Sequence, residues 1–384
     1  MTLANRHEVI NLALRFPDAY SRLLRSRLST FHQDYPELAE LRRMVVAARF
    51  PVIGDDAPKI VMVNLRGGWA IHAIWEIVIA LGLRLRGAKV RFYTCRGALH
   101  ECELGGQHFP QDDAPSCSFC YHYYREALRA CNWDCSSVRE IIARKNLQPL
   151  FKTVDQLNLD ELREYRHRGL ALGQIVTPSM RWKLRGHAIP DNLSTLRLYR
   201  DLVKSALIME CFAHQMLADE HPEALFCLNG EFAPEQVLCH LARSQAVRVA
   251  TYEQGFLPRS LFMSSHRPAC KYNIDHLWER EKHRPLNIME NTRLDNFLAG
   301  RLQGPKGIGG AVFWPSIEHD EQEIRSQLNL DQRPIAILFT NVVWDTATQG
   351  TEVAFENLFA WLKDSVEYFA ARPAWQLVIR AHPS

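Results

Sequence analysis

Residues 60–90 constrain the fold more than any other stretch of this chain. Residues 60–64 (IVMVN) are a short apolar run, residues 66–68 (RGG) are typical of a turn, and residues 69–86 have apolar side chains at helical spacing. A second strand is predicted at residues 90–94. The pattern predicts a βαβ unit, the building block of a parallel sheet that binds ligands at the carboxyl ends of its strands.

The turn that follows the first strand is a candidate ligand-binding edge. Gly67 and Gly68 allow a tight turn and a close approach to a ligand, and the first amides of the following helix favour an anion. The dinucleotide fingerprint GxGxxG is absent, because Trp69 stands where its third element should pack. A tight connection inside an ordinary α/β domain is the alternative.

Length and composition limit the class of protein. A chain of 384 residues with 47% apolar content can bury a large core and normally forms two or three domains, and we expect two. The 46 basic and 43 acidic residues nearly balance, so nucleic acid is not expected as the main partner. Apolar runs such as residues 74–83 are interrupted by Glu76 and are too short to span a bilayer. No signal peptide opens the chain, so we expect a cytoplasmic protein.

The order of predicted elements indicates an α/β fold with two Rossmann-like domains, the second incomplete. Strands predicted at residues 335–340 and 375–380, with a helix predicted over residues 353–369 between them, begin this second domain. We expect the chain to be a fragment of a longer protein. The predicted divisions are a helical N-terminal extension at 1–57, a first domain at 58–300, a linker at 301–312 and the second domain at 313–384.

The first domain contains a helical insertion at residues 136–218. Ser136 and Ser137 are suited to cap a helix over residues 138–145. Asn158 precedes a helix predicted over residues 159–168, and Asn192 opens a long helix. Strands are then predicted at residues 225–228 and 247–252, each followed by a polar loop.

Four cysteines are candidate metal ligands. Cys117 and Cys120 form a CxxC pair, whose spacing lets two thiolates reach one tetrahedral ion, and Cys95 and Cys102 complete a four-sulfur set. Residues 95–135 are predicted to be a loop, so a zinc ion or iron–sulfur cluster there would be structural and not catalytic. Reduced, partly buried thiols are the alternative, because this combination is not a standard zinc-ribbon spacing.

The N-terminal residues 1–50 are predicted to form two basic helices. Arginines alternate with leucines there, which is typical of a helix that lies on an anionic membrane surface and allows peripheral membrane association. A solvated arginine face on a packing helix is the favoured alternative. The arginines concerned are Arg15, Arg22, Arg25 and Arg27.

Several short motifs follow one another in a characteristic order. Together they resemble bacterial capsule and surface-polysaccharide glycosyltransferases of GT-B architecture, distantly like sialyl- and Kdo-transferases, over most of residues 58–384. The resemblance implies a nucleotide-sugar donor, a glycan acceptor and transfer without a required catalytic cofactor. The motifs are Asn64-Leu65-Arg66-Gly67-Gly68 with His72, Tyr252-Glu253-Gln254-Gly255, Thr340-Asn341-Val342-Val343-Trp344-Asp345 and His382-Pro383.

The resemblance also implies candidate bases. In sialyl- and Kdo-transferases an acidic-acidic-Gly motif supplies the base, and here Glu253-Gln254-Gly255 keeps only the first acid. Glu253 is the first candidate, with a capping glutamate as the alternative. His72 is the rival, because a helix dipole would lower its pKa and keep the imidazole neutral, whereas a packed or solvated histidine is the commoner case.

Binding residues follow from the same resemblance. His382 and Pro383 would contact the donor phosphate, with Thr340, Asn341 and Asp345 beside them. The alternative for these donor residues is that they are ordinary polar loop residues. The alternatives for Arg66 and Glu231 are a surface arginine and a helix N-terminal carboxylate. The candidates for binding the acceptor or phosphate are Arg66, Gly67, Gly68, Glu231, Gln254 and Gly255.

Two other functions remain open at this point. A nucleotide-sugar epimerase uses the same cleft to convert a donor without any acceptor. A non-catalytic assembly protein would bind metal through the cysteines and use no catalytic base.

Overall fold

The computed structural model describes residues 35–105, 117–257, 260–303 and 320–382. The chain divides into two compact units, one of Met1–Tyr252 with Ser264–Pro268 and one of Glu253–Met263 with Ala269–Ser384. Glu253 was expected in the first domain, which was predicted to end at residue 300, but it falls in the second unit. Residues 301–303 end a helix, and the rest of the predicted linker lies outside the described residues.

The described residues form eight strands and fourteen α-helices. The strands are β1 (Lys59–Asn64), β2 (Lys89–Thr94), β3 (Ser136–Ser137), β4 (Ala224–Leu228), β5 (Arg248–Gln254), β6 (Leu261–Ser264), β7 (Ile335–Phe339) and β8 (Gln376–Arg380). The helices are α1 (Pro36–Ala47), α2 (Ala70–Leu85), α3 (Cys117–Ala130), α4 (Val138–Ile142), α5 (Gln148–Gln156), α6 (Leu159–Arg163), α7 (Leu172–Ile175), α8 (Thr177–Leu184), α9 (Leu193–Glu220), α10 (Ala233–Ser244), α11 (Asp275–Glu281), α12 (Ile288–Gln303), α13 (Glu321–Gln327) and α14 (Leu358–Ala370).

One sheet has the strand order β3-β2-β1-β4-β5-β6. The β1 strand pairs in parallel with β2 and with β4, and β5 pairs in parallel with β4. The last four residues of β1 are buried, as expected for a central strand of a parallel sheet that is covered on both faces. The predicted βαβ unit is therefore confirmed as β1, α2 and β2.

The helices α4–α9 lie where the helical insertion was predicted, and their caps explain where three of them begin. Ser137 with Glu140 and Asn158 with Glu161 form capping boxes, and Asn192 accepts a hydrogen bond from the amide of Thr195. The 28-residue helix α9 packs against α10 and contributes many residues to the main core. The helices α4 and α6 end earlier than predicted, at Ile142 and Arg163.

Other predictions of local structure were wrong in their bounds. The cysteine-rich segment is not a loop throughout, because residues 117–130 form α3. Glu253 and Gln254 are the last residues of β5 and not part of a following loop. The helix predicted from residue 353 begins at Leu358, where Asn357 caps it. The elements β6, α11 and α12 were not predicted, because their sequences lack a clear apolar period.

The second unit contains a smaller parallel pair, β7 and β8, with α14 between them in sequence. The protein is thus α/β, with one mainly parallel sheet of six strands and a separate pair. In the ranges that the structure describes, no helix combines the length and apolar character needed to cross a membrane.

Candidate functional site

The carboxyl ends of β1 and β4 meet at a crevice in the first unit. The strands β2 and β3 lie on one side of β1, and β5 lies on the far side of β4. The chain that leaves β1 therefore runs to one side of the sheet, and the chain that leaves β4 runs to the other. Open parallel sheets bind ligands at such a switch point. The crevice is lined by residues 63–66, Trp69, His72, Glu76, Leu228 and Tyr252.

The turn after β1 needs a glycine because another helix packs on it. A Cβ atom on Gly67 would lie 2.5 Å from the carbonyl oxygen of Cys120 and 2.7 Å from Cβ of Tyr124, both on α3. The amide of Gly68 donates to Sγ of Cys120 at 3.2 Å. Close packing against α3 therefore accounts for Gly67, and ligand binding by Gly67 and Gly68 stays a prediction.

Arg66 is buried, and its guanidinium bridges two carboxylates. It donates to Glu103 from Nε at 3.0 Å and from Nη2 at 2.6 Å, and to Glu235 from Nη1 at 2.5 Å and from Nη2 at 2.8 Å. Burial lowers the pKa of Arg66, but the two carboxylate charges outweigh burial and raise it above its ordinary value. Arg66 is thus not a surface residue, and in this arrangement its donors face protein carboxylates and not a ligand phosphate.

Glu76 is the most strongly perturbed acid of the crevice. Its carboxyl group is 1% exposed and accepts hydrogen bonds from Asn64 Nδ2 at 2.8 Å, the Tyr252 hydroxyl at 2.9 Å and the Tyr124 hydroxyl at 3.3 Å. Burial raises its pKa from 4.5 to about 8, although these hydrogen bonds oppose the shift. The network joins β1, β5, α2 and α3 through one side chain.

His72 lies one helical turn before Glu76 on α2. Its ring contacts Trp69, Trp75 and Tyr252, with centroid distances of 5.7, 5.1 and 5.9 Å. Burial, followed by the positive charge of Arg66, lowers its pKa from 6.5 to about 4, and no polar group bonds its buried Nδ1. The predicted neutral imidazole is supported, but the cause is burial and not the helix dipole.

The turn after β4 directly follows Leu228, which lines the crevice. Asn229 and Gly230 have φ angles of 38° and 84°, and a Cβ atom on Gly230 would lie 2.9 Å from Cγ2 of Thr251. The Asn229 side chain accepts from the amide of Glu231 at 2.7 Å. Glu231 is half-buried immediately after this turn, so its position is compatible with the predicted contact to acceptor hydroxyls.

Three of the predicted donor-binding residues lie together in the second unit. Thr340 follows β7, its amide donates to the carbonyl of Arg380 at 3.0 Å, and its hydroxyl accepts from the amide of His382 at 3.0 Å. Asn341 is the next residue and is exposed. Thr340, Asn341 and His382 therefore occupy the carboxyl edge of the β7–β8 pair, whereas Pro383 lies outside the described residues.

Glu253, the first candidate base, lies near Asp345 and Tyr272 in the second unit. Burial and then the charges of Glu253 and Asp345 raise the pKa of the Tyr272 hydroxyl. That hydroxyl donates to the carbonyl of Gln254 at 2.8 Å, and a Cβ atom on Gly255 would lie 2.2 Å from Oγ of Ser260. The side chain of Glu253 accepts from the amide of Gln254 at 2.9 Å, and the role of Glu253 as base stays a prediction.

The four candidate metal ligands occupy neighbouring segments beside the crevice. Cys95 follows β2, Cys102 lies in the next segment, and Cys117 and Cys120 are in the first turn of α3. All four are free thiols. No group of three or more His, Cys, Asp or Glu residues within the described ranges is arranged to hold a metal ion.

Sequence reasoning missed three residues of the crevice network. Glu76 was noted only because it interrupts an apolar run, although an acid four residues after His72 on an apolar helix was a usable signal. Glu103 and Glu235 reach Arg66 from 37 and 169 residues away. No local pattern in the sequence indicates such distant partners.

The fold and the crevice define an α/β protein with a mainly parallel sheet and a buried polar network at the switch point. Comparisons with protein-family models, with curated proteins and with solved structures find no match.

Proposed function

We propose that the protein is a glycosyltransferase that moves a sugar from a nucleotide-sugar donor to a surface glycan, with two Rossmann-like lobes of the GT-B type. The observation that carries the proposal is the neutral imidazole of His72, whose buried Nδ1 has no hydrogen-bond partner in the switch-point crevice. A ring nitrogen that is unprotonated at neutral pH and has no other partner is able to accept the proton of an acceptor hydroxyl. The order of short motifs along the chain adds support.

The reaction makes one bond and breaks another at the same carbon. The acceptor hydroxyl gives its proton to the base, its oxygen bonds to the anomeric carbon of the donor, and the bond from that carbon to the phosphate oxygen breaks. His72 or Glu253 takes the proton, and no metal or cofactor is required for this step. The second parallel pair supports donor binding, because Thr340, Asn341 and His382 lie at its carboxyl edge.

Incubation of the full chain with a panel of nucleotide sugars and glycan acceptors tests this function. We expect transfer with at least one donor, detected by mass spectrometry of the acceptor. Absence of both transfer and donor hydrolysis across the panel would refute the proposal.

Matched variants assign the base. If His72 is the base, His72→Asn lowers kcat on the order of 10²–10⁴-fold, and Glu253→Gln has a much smaller effect. The reverse ranking assigns Glu253. His240→Asn is the control, because His240 is exposed on α10 and lies outside the crevice lining.

Nucleotide-sugar epimerisation is the second candidate, and one observation favours it. The crevice holds a neutral base, His72, beside a carboxyl group, Glu76, whose raised pKa keeps it protonated at neutral pH. Such a pair can remove a proton and return one. Incubation with donor alone distinguishes the reactions, because only an epimerase gives a new sugar nucleotide without an acceptor.

The proposal includes a cytoplasmic location at the inner face of the membrane, where nucleotide sugars and surface glycan precursors meet. The basic residues Arg15, Arg22, Arg25 and Arg27 support it by charge alone, and they lie outside the described residues. Sedimentation with anionic and neutral vesicles tests it, and equal recovery with both would contradict an electrostatic attachment.

A further inference from the structure

A second cavity, of about 460 Å³, lies at the amino ends of β1 and β2. The two strands begin at Lys59 and Lys89, which are paired in the parallel register. The crevice with His72 lies at the carboxyl ends of the strands, so the cavity is a separate place in the first unit. Its volume falls within the range of roughly 300–1,000 Å³ that is usual for ligand pockets. The charged residues in its lining are Lys59, Arg84, Lys89, Arg91 and Glu220.

Positive charges outnumber negative charges in this lining, with four cations against one carboxylate. The charge of Glu220 is already compensated, because Nζ of Lys59 and Nε of Arg91 lie 3.3 and 3.2 Å from its oxygens. Glu220 also accepts a hydrogen bond from the hydroxyl of Tyr93 at 2.8 Å. The other two cations therefore leave the cavity with a net positive charge.

Arg84 and Lys89 have only neutral partners among the described residues. Nη1 of Arg84 donates to the carbonyl oxygen of Pro51 at 2.8 Å, and Nζ of Lys89 donates to the carbonyl oxygen of Asp55 at 2.7 Å. A carbonyl oxygen fixes the position of a cation but does not cancel its charge. Both side chains also keep further N–H donors, because an ammonium group has three and a guanidinium group five.

These cations are held in place before any ligand arrives. Lys59, Arg84 and Lys89 are half-buried. Lys59 resembles the other two, since its Nζ donates to the carbonyl oxygen of Glu220 at 2.6 Å. A site whose donors are already ordered loses less side-chain entropy on binding than a patch of free surface lysines.

An apolar wall completes the cavity. Trp133 packs on Phe92, with 5.0 Å between the ring centroids, and is half-exposed. Val90 and Ile53 also line the cavity. Low-dielectric walls beside charges of one sign concentrate the electric field in a cleft. They also offer a contact surface to the organic part of a ligand.

Protection of a sheet edge is the alternative explanation for these charges. The strand β2 pairs with β3 only at Tyr93 and Thr94, and lysines or arginines on such an edge discourage pairing with another chain. This explanation accounts only for Lys89 and Arg91, because Arg84 is on α2 and Lys59 is on β1, which has a neighbour on each side. Convergence of four cations from two strands and a helix on one cavity needs a further reason.

We propose that this cavity binds a small compound with two or more phosphate groups. Phosphate oxygens accept charge-assisted hydrogen bonds from ammonium and guanidinium groups, and several phosphate charges match the excess of cations. Inorganic pyrophosphate and nucleoside diphosphates share this chemistry. The site is separate from the crevice and does not depend on glycosyltransferase activity.

Isothermal titration calorimetry of the full chain with pyrophosphate and with ADP tests the site. We expect both compounds to bind, with an affinity that falls as ionic strength rises, because salt screens the charges. Tighter binding of ADP would show that the apolar wall contacts the organic part, and equal affinities would show that the phosphates alone are recognised. Absence of binding by both compounds would refute the proposal.

Substitutions locate the bound anion. Arg84→Met and Lys89→Met each remove a cation that has no carboxylate partner, so neither variant leaves an unpaired acid. We expect each to weaken pyrophosphate binding several-fold, whereas His72→Asn, in the crevice, should leave it unchanged. Arg248→Met is the matched control, because Arg248 begins β5 in the same sheet but lies outside the cavity lining. Thermal unfolding establishes that each variant is folded.

Two results of these titrations would overturn the assignment. Unchanged affinity in Arg84→Met and Lys89→Met would mean that the anion binds elsewhere in the chain. An equal loss in Arg248→Met would mean that the protein attracts anions through its general charge and not through this cavity.

Acetylation of the wild-type chain provides a test that needs no variant. We expect mass spectrometry to find Lys59 and Lys89 labelled less when pyrophosphate is present. Lys363, whose side chain is exposed on α14, should be labelled equally in both conditions. Labelling of all three lysines that does not change with pyrophosphate would also refute the proposal.

Discussion

The hydroxyl of Tyr252, the last β5 residue in the first unit, donates to Oε1 of Glu76 at 2.9 Å across 176 residues of sequence. This bond joins the carboxyl end of β5 to the helix that follows β1. Tyr252 is 0% exposed and Glu76 is 1% exposed, so each group depends on the other and not on water for this hydrogen bond. The crevice therefore contains a buried network of hydrogen bonds around one acid, Glu76, whose protonation state changes with pH.

Glu76→Gln should remove a specific pH dependence of stability. The pKa of Glu76 is 4.5 when solvated and about 8 when folded, so the folded protein binds more protons between these values. Its contribution to stability is therefore fully present below pH 4.5 and is lost as pH rises through about 8. We expect the free energy of unfolding of the wild type, relative to the variant, to decrease across this window.

Urea titrations of both proteins at a series of pH values measure this difference. Subtracting the variant cancels the other titrating groups that the two proteins share. Two curves that stay parallel from pH 4.5 to 8 would show that Glu76 titrates normally, contrary to its burial.

Removal of Arg66 should destabilise the protein strongly. Arg66→Met leaves the carboxylates of Glu103 and Glu235 buried and without their cation, which typically costs about 3–5 kcal/mol. Arg248→Met is the matched control, because the pair of Arg248 with Glu223 is exposed and such pairs contribute about 0–1 kcal/mol. Chemical denaturation compares the two, and equal losses would mean that Arg66 is not a structural bridge.

The sheet was predictable from sequence where its signals are local. Buried parallel strands are short apolar runs, and Asn158 and Asn192 mark helix starts through hydrogen bonds to amides three residues away. The end of β5 was predicted two residues too early. Glu253 and Gln254 belong to the strand through their backbone, but their polar side chains are typical of a loop. The start of α14 was missed because an apolar stretch does not show where its cap lies.

The site was predictable in part for the same reason. His72 was identified because its position after a strand and a glycine turn is visible in the sequence. The bridge from Arg66 to Glu235 was not, since it depends on which helix packs across the switch point. Thr340 and His382 were both identified, because each follows a strand that the sequence shows, and parallel pairing brings their backbones together.

Gly67→Ala should destabilise the turn by steric conflict. The new methyl group would lie 2.5 Å from a backbone oxygen of α3, which cannot move without shifting the helix. Overpacking of this kind costs about 1–3 kcal/mol. Gly54→Ala is the control, because nothing lies within 4 Å of its Cβ position. Thermal unfolding that ranks the two variants equally would show that the turn can move away from α3.

His72 should titrate near pH 4, and NMR of its ring protons measures this directly. Burial, and then the positive charge of Arg66, lower its pKa from 6.5 to about 4. The folded protein therefore binds fewer protons than the unfolded chain between these values, so stability contributed by neutral His72 is lost as pH falls from 6.5 toward 4.

The spectrum of His72→Asn assigns the resonance by its absence. Arg66→Met should raise the His72 midpoint, because it removes the positive charge that disfavours the imidazolium. A wild-type midpoint near 6.5 would show that water reaches the ring. In that case Nδ1 would be solvated, and burial would not be the reason that the His72 imidazole is neutral at pH 7.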